Sequence, residues 1–350
     1  MIYTCVFKRG IRLAPADLDI LDEYPVIMPI SAQDYPRTWS EFLDWFSSEG
    51  ACLAYLERLR WPHGFACPGC GSMTAPYRSS RIRLMCKDCG RQTTVTSGTI
   101  FDKTRTPLKV WLAGAWYLTS QKQGVSALGL QRVLGLGSYQ TAWTMLHRFR
   151  CAMVRPDRER LKGLVEVDET YLAISDRNRP ISPVGRKSST SKVLVIMAVE
   201  VLEPKGFGRI RLRRILKDSD DSVLPFVRES VEPGARVRTD GSAAYRTLKE
   251  LGYDHERAVM LGSDIPAHVS MAGVHRVASL IKRWILGTHH GSVQPEHLDA
   301  YLDEFVFRFD RRTSNSRGML FYRLLQQSVV TQPVTYPDII HPAQETTESA

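Results

Sequence analysis

The 350-residue sequence has no long apolar run. Its longest, Val193 to Val199, spans seven residues, against the ~20 that a membrane-crossing helix needs. The opening stretch MIYTCVFKRGIRLAPADLD lacks the apolar centre and small-residue cleavage site of a secretory leader. There is no internal repeat. Acidic residues are in deficit, 37 Asp+Glu against 47 Lys+Arg, for a net charge of +10 and a pI of about 9.3. Lysine itself is scarce, 12 residues against 35 arginines. A chain without leader or span is expected in the cytoplasm, where thiols stay reduced, so its seven cysteines need a role other than disulfides.

A composition of 43% hydrophobic and 24% charged residues supports folded cores, and the length suggests two or three domains. Arginine is the better fork for phosphate, and a basic excess favours a polyanionic partner. A GC-rich genome would also enrich arginine without function.

Residues 1–39 are uneven and turn-rich, with Pro15, Pro25, Pro29 and Pro36, and read as a poorly defined extension. Met28 lies just before the patterned sequence and is a candidate start. Ser40 reads as an N-cap for a helix carrying Phe42, Trp45 and Phe46, and Ala51–Arg60 as a second helix. TRTPLKVWLAGAWYLTSQKQ reads as an amphipathic helix with Pro107 in its first turn. GVSALGLQRVLGLGSYQTAWTMLHRFR reads as two helices joined at Gly135, Leu136 and Gly137, with Ser138 capping the second. This pair fits either a DNA-binding helix-turn-helix or an ordinary helical hairpin. From Leu161 the pattern becomes LVEVDETYL, KVLVIMAVEVLE and GRIRLRRIL, three strands, then a helix, the short strand RVRTDG and further helices. That order means an α/β domain with a mixed sheet. The last segment, 331–350, is polar and reads as a disordered tail.

Cys67-Pro-Gly-Cys70 and Cys86-Lys-Asp-Cys89 have the spacing of a four-thiolate zinc ribbon. Each knuckle presents two sulfurs to one tetrahedral ion, and four protein ligands close the site, so the zinc is structural. Arg78, Arg81, Arg83, Lys87 and Arg91 surround the knuckles with Tyr77 and Trp61. That surface fits nucleic-acid contact or a solvated face. Cys5, Cys52 and Cys151 read as small hydrophobes.

Asp168 sits in the first strand, where alternation sets it with Glu166 and Thr170 on one face and Val165 and Val167 on the other. A carboxylate in an apolar strand is costly unless something needs it, and a metal ion is the usual beneficiary. Asp240 ends RVRTDG just before Gly241, a position that also suits a turn. Carboxylates at the ends of neighbouring strands can hold two Mg2+ ions about 3.5–4 Å apart for in-line displacement at phosphorus.

The strand order with these aspartates resembles the ribonuclease H-like core of DDE transposases. More closely, the chain resembles the bacterial insertion-sequence transposases with an N-terminal zinc ribbon, the ISXO-like family. The stretches that carry the resemblance are RWPHGFACPGCG, MCKDCGRQTTVTSGTIF, VEVDETY, RTDGSAAY, VHRVASLIKRWILGTHHG and HLDAYLDEFVFRF, from about residue 35 to residue 325. The resemblance implies a catalytic set of Asp168, Asp240, His275 and Lys282, with His275 where most DDE enzymes carry Glu. Asp168 and Asp240 would hold the divalent metal, Mg2+ or Mn2+ as two ions. The spacing from 275 to 282 puts both side chains on one helix face, with Lys282 on DNA phosphate. Mg2+ prefers oxygen ligands and imidazole suits softer ions. His275 therefore fits a Mn2+-tolerant site, an outer position, a proton shuttle or an inactive copy. His289 and His290 fit either a place near this site or a helix-ending turn.

The expected organisation is an extension at 1–39, a helical lead-in and zinc ribbon at 40–103, a helical DNA-binding segment at 104–155, a ribonuclease H-like core at 160–327 and the tail. The core is expected to hold a mixed five-stranded sheet with helices. The implied function is metal-dependent cleavage and strand transfer at an element's terminal inverted repeats. It implies double-stranded DNA as partner, a homo-oligomer on it and association with the bacterial nucleoid. Basic residues are expected along that path in the ribbon, at Arg148 and Arg150, and at Lys282 and Arg283. The rivals are a catalytically inactive or domesticated zinc-ribbon DNA-binding protein, a nuclease that cleaves without joining, and a zinc-ribbon transcription factor.

Overall fold

The computed structural model describes residues 29–79, 82–155, 158–175, 190–258 and 270–341. The expectations for residues 1–28, Arg81, and the tail from 342 lie outside the described residues. Contacts divide the chain into two units, one from Met153 to Thr313 and one that joins the described residues up to Ala152 with those from Ser314. Among the described residues no helix is long and apolar enough to cross a membrane.

The second of these units is helical. Its helices α1 (Trp39–Trp45), α2 (Glu49–Arg60), α3 (Leu108–Ser120), α4 (Ala127–Leu134) and α5 (Tyr139–Ala152) lie where the apolar periodicity sets them. Thr38 rather than Ser40 caps α1, its Oγ1 accepting from Glu41 N at 3.2 Å. Pro107 precedes α3 and offers no side-chain cap. Glu49 supplies one instead, accepting from Leu108 N at 2.7 Å and Lys109 N at 3.2 Å, a favourable charge at a helix N-terminus. Between α2 and α3 in sequence, β1 (Tyr77–Arg78), β2 (Leu84–Met85) and β3 (Gln92–Thr93) form an antiparallel ribbon.

The C-terminal segment corrects two expectations. Helix α9 (Arg317–Ser328) belongs to this helical unit, so the α/β core ends near Thr313 and not at 327. Phe321 is fully buried and its ring meets those of Phe42, Phe46, Tyr55 and Trp116 at 5.4–6.2 Å between centroids. An amphipathic helix records that it has an apolar face but not which core that face joins. The tail is ordered to 341: α10 (Tyr336–Ile340) begins in a capping box of Thr335 and Asp338, with Val334 and Ile339 buried. At the other end Tyr35 is buried, its ring 6.0 Å from that of Tyr322, so the extension is part of a core from there on.

The α/β unit is built on β4 (Leu164–Ser175), β5 (Thr190–Val201), β6 (Phe207–Ile215), β7 (Arg236–Thr239) and β8 (Asp254–Arg257), in the order β6-β5-β4-β7-β8. The first three are antiparallel neighbours, while β7 runs parallel to β4 and β8 parallel to β7. This is the ribonuclease H-like topology. The segment SAAYRTLKELG forms a 3₁₀ helix at Ala243–Leu248 in place of an α-helix, and β8 lies where no strand was read.

Alternation along the strands divides the core in two. Leu172, Ile174, Val195, Met197 and Leu212 face α7 (Ala272–His289) and α8 (Leu298–Asp310). Val165, Val167, Leu194, Ile196 and Ile215 face α6 (Asp220–Ser230) and the 3₁₀ helix. Helix α8 also blunts the edge strand β6: Asp310 accepts from Ile210 N at 2.8 Å and Asp299 from Arg214 N at 3.2 Å, occupying donors that would otherwise template another strand.

One contact sets where α7 begins. Glu166 of β4, almost fully buried, accepts from Gly273 N at 2.7 Å and Val274 N at 3.1 Å. Met271 at the N-cap gives no side-chain bond, so this buried carboxylate serves as the cap. The backbone of α7 comes so close that a Cβ at Gly273 would lie 2.8 Å from Glu166 Oε2 and 3.1 Å from Val199 Cγ1. We expect Gly273→Ala to lower stability by about 1–3 kcal/mol through overpacking. Gly287→Ala in the same helix, where a Cβ meets nothing within 4 Å, should raise it by up to ~1 kcal/mol. Thermal denaturation of both variants beside the parent checks the opposite signs.

Candidate active site

The four ribbon cysteines converge. Their sulfurs all lie within 4.8 Å of one another, with Cys67–Cys89 at 3.6 Å and Cys70–Cys86 at 3.7 Å. A tetrahedron of ~2.3 Å zinc–sulfur bonds has edges of about 3.8 Å, so the donor set fits zinc in spacing and chemistry. Gly71 and Gly90 take positive φ, +73° and +69°, and return N–H bonds to the carbonyls of Cys67 and Cys86; this is the turn each knuckle needs. Burial works against ionisation of Cys67, but N–H groups of Cys70 and Gly69 directed at its sulfur bring the thiol down to about 7. Among the described residues the ribbon's core is Phe65, Cys67, Leu84 and Cys86, with Trp61 packed against them.

In the α/β unit, β4 and β7 pair as Leu164↔Arg236, Val165↔Val237 and Glu166↔Arg238. Asp168 lies two residues past the last of these pairs on β4 and Asp240 two residues past it after β7, and alternation turns Asp168 toward the face that α7 covers. The ladder has stopped there: β7 ends at Thr239 while β4 continues to Ser175. The two carboxylates thus sit at the carboxyl end of a parallel strand pair, where among the described residues no strand continues the pairing on that side of β4. Asp240 also makes the turn its position suggested, Oδ1 accepting from Ser242 N at 2.8 Å.

Because Glu166 fixes the start of α7, His275 falls in its first turn and Lys282 two turns on, ~10 Å along the axis. Both line one cavity of about 470 Å³ with Asp168, Glu169, Thr170 and Ser279. His275 Nε2 is buried and, among the described residues, has no hydrogen-bond partner. Asp240 is not on the cavity wall, but its charge reaches Asp168 and Glu169. Among the described residues only the four cysteines bring three or more donor atoms within 4.8 Å of each other, so the carboxylate group is the looser of the two.

Sequence reading missed Glu169 and Asp218. Glu169 lines the cavity and accepts from the hydroxyl of Tyr245, which is fully buried in the 3₁₀ helix. Burial pushes Asp168 up to about 6, with Asp240 and Asp218 adding and the Glu169 N–H opposing. Burial likewise raises Glu169 to about 7 against the Tyr245 bond, helped by Asp218, Asp168 and Asp240. The adjacency of Glu169 to Asp168 within VDETY was the available signal. Glu166 is the reverse case: it shares a face with Asp168, but a helix terminus takes its oxygens.

Other expectations need revision. Arg150 is buried, and Arg148 is half-buried with Nη1 on the carbonyl of Ile100 at 3.1 Å, so neither forms an exposed basic track. Lys282 and Arg283 are exposed. In the ribbon Arg78 pairs with Glu57 and Lys87 stands 5.1 Å from the Tyr77 ring centroid, while Trp61 packs inward on Phe65. His289 meets the rings of Trp284 and Tyr301 at 4.7 and 4.8 Å, and His290 ends the helix at φ 51°. The helix-ending reading therefore holds for GTHHG.

Two measurements follow from these sites. With so small a core, the ribbon should retain one zinc per chain by elemental analysis through gel filtration, and Cys86→Ser should lose both the metal and the ribbon's near-UV dichroism. For Asp168 and Glu169 the folded-state values, about 6 and about 7, exceed the ordinary 3.8 and 4.5. The folded protein then holds protons that the unfolded chain releases, and stability falls as pH rises from about 4 to about 7. Asp168→Asn should remove on the order of 2 kcal/mol of that fall, read from melting of the metal-free protein across this range.

Residues 160–310 match the ISXO2-like transposase domain and residues 47–92 the transposase zinc-ribbon domain. The chain is 27% identical over 279 residues to an uncharacterized protein in transposable element ISH50 of Halobacterium salinarum, an alignment covering 75% of this chain and 91% of that protein. Among solved structures, a pre-cleavage Mos1 transpososome covers 63% of this chain and 77% of its own at 11% identity and a TM-score of 0.23. The Mos1 transposase paired-end complex with the left transposon end has the same coverage at 13% identity and 0.24. The chain thus carries an ISXO2-like DDE transposase domain over its α/β unit and a transposase zinc-ribbon domain before it.

Proposed function

We propose that this transposase cleaves DNA at the terminal inverted repeats of its own insertion sequence and joins the freed 3′ hydroxyl to target DNA. The observation that carries this reading is a cavity that Asp168, His275 and Lys282 line together, with Asp240 following the strand that pairs with β4 and its charge reaching Asp168. Asp168 and Asp240 would hold Mg2+ or Mn2+, two ions in all; their oxygens suit either cation, and an imidazole partner suits Mn2+ better. Such cations, when bound, stabilise the attacking and leaving oxygens of an in-line displacement.

The chain's own residues do the rest. The ammonium of Lys282, exposed on α7, draws a DNA phosphate toward the cavity. His275 borders the same space, where its imidazole would complete a cation's shell or relay a proton. Recognition of the element ends falls to the zinc ribbon and the helices of 107–153, in a homo-oligomer that pairs two ends. With Arg148 and Arg150 withdrawn from the surface, the support lies with Arg132 and Gln140, which are exposed on the paired helices α4 and α5, and with exposed Tyr139. A domain division of ribbon, helical segment and catalytic core follows the same reading.

Asp168→Ala and Asp240→Ala should each abolish cleavage and strand transfer of a terminal-repeat duplex while leaving its binding intact in a gel-shift assay. Cleavage surviving either change would overturn the assignment. The imidazole at 275 favours one second reading, a DNA-binding protein on this fold that has lost chemistry. Strand transfer by the parent protein with Mn2+ or Mg2+ excludes it.

A further inference from the structure

Two motifs continue past their aspartates for reasons the proposed chemistry does not use. VDETY places Glu169 after Asp168, and TDGSAAY places Tyr245 five residues beyond Asp240. In the fold these two extensions meet. The β4–β7 ladder ends at Glu166↔Arg238, so no backbone pairing holds the strands together at the level of the aspartates. A bonded path does. Asp168 Oδ1 accepts from Glu169 N at 2.9 Å, and the Glu169 carboxylate accepts from the Tyr245 hydroxyl. Tyr245 lies on the 3₁₀ helix whose first turn is capped by Ser242, Oγ accepting from Ala244 N at 3.3 Å. Ser242 N in turn donates to Asp240 Oδ1 at 2.8 Å. The path begins on one carboxylate and ends on the other.

We infer that Glu169 and Tyr245 are positioning residues: their bond takes over where the β ladder stops and ties the segment that carries Asp168 to the one that follows Asp240. The inference rests on the proposed role of the two aspartates. The Tyr245 ring is fully buried among Val165, Val167 and Leu248 of the same core, so its hydroxyl arrives at Glu169 from a fixed support. Adjacent strand residues point to opposite faces, so the Glu169 carboxylate reaches Tyr245 of the core under α6 while Asp168 faces α7, both residues bordering the cavity. Glu169 offers Tyr245 an acceptor oxygen, and a neutral amide in place of the carboxylate keeps one.

The test titrates Mn2+ into the full-length protein and follows free Mn2+ by electron paramagnetic resonance, with melting temperatures recorded on the same samples. Tyr245→Phe and Glu169→Ala are expected to weaken Mn2+ binding by about tenfold, roughly 1.4 kcal/mol, and to raise the Mn2+ concentration needed for half-maximal cleavage while kcat recovers at saturating metal. Glu169→Gln, which preserves the acceptor, should rescue binding to within about threefold. Unchanged Mn2+ affinity in Tyr245→Phe overturns the inference. So does a Glu169→Gln that falls as far as Glu169→Ala, because the carboxylate would then act by its charge, or a loss of kcat at all metal concentrations with a lowered melting temperature. Asp168→Asn separates this failure from that of the underlying reading: if it binds Mn2+ like the parent, the aspartate assignment is what fails.

Discussion

The geometry of the α/β unit depends on a buried carboxylate that meets a helix end. Glu166 lies on β4, in the centre of a five-stranded sheet, and accepts the first free N–H groups of α7. A carboxylate this deeply buried is costly unless its oxygens are satisfied, and burial raises its pKa despite the N–H bonds from Val274 and Gly273 and the nearby Arg238. A helix N-terminus is one of the few neutral groups able to satisfy it. The arrangement fixes the helix in translation and rotation at once, since two consecutive N–H groups converge on one oxygen. His275 and Lys282 inherit their places from that contact, and Gly273 is needed because no side chain fits between the helix and the sheet.

The helical unit uses the same device. Glu49, in the first turn of α2, receives the N–H groups of Leu108 and Lys109 at the start of α3, a helix whose own N-cap is a proline. In both cases a long acidic side chain from a distant part of the sequence replaces a local Ser, Thr or Asp. Such caps tie elements together across 59 and 107 residues of chain, which a local cap does not do. They also redirect acidic residues that would otherwise read as ligands, as Glu166 does.

Much of this was legible beforehand where the signal is local. The cysteine spacing predicted the convergence of four sulfurs, because two tight knuckles and one hairpin leave little else for them to do. Strand alternation predicted that Asp168 faces away from Val165 and Val167, because the period of two is a property of the backbone. Other features were not local. Arg148 and Arg150 look like surface charge in the sequence, but they lie on the inner side of α5, where Ile100 offers a carbonyl to one of them. Phe321 is one apolar residue among many until four aromatic rings from earlier helices surround it.

The deficit of acid already pointed to a polyanion, and no apolar run in the sequence reaches the length of a membrane-crossing helix. The sequence by itself determined the metal-binding knuckles, the strand and helix periods, and the two aspartates as the acids worth attention, since each follows from spacing of a few residues. Only the tertiary structure decided that Asp168 shares a cavity with His275 and Lys282, that Glu169 meets Tyr245, that Glu166 serves a helix, and that the last helices return to the first. These are pairings between residues tens to hundreds of positions apart, and their geometry is set by which apolar faces bury one another and by which buried polar groups must find partners.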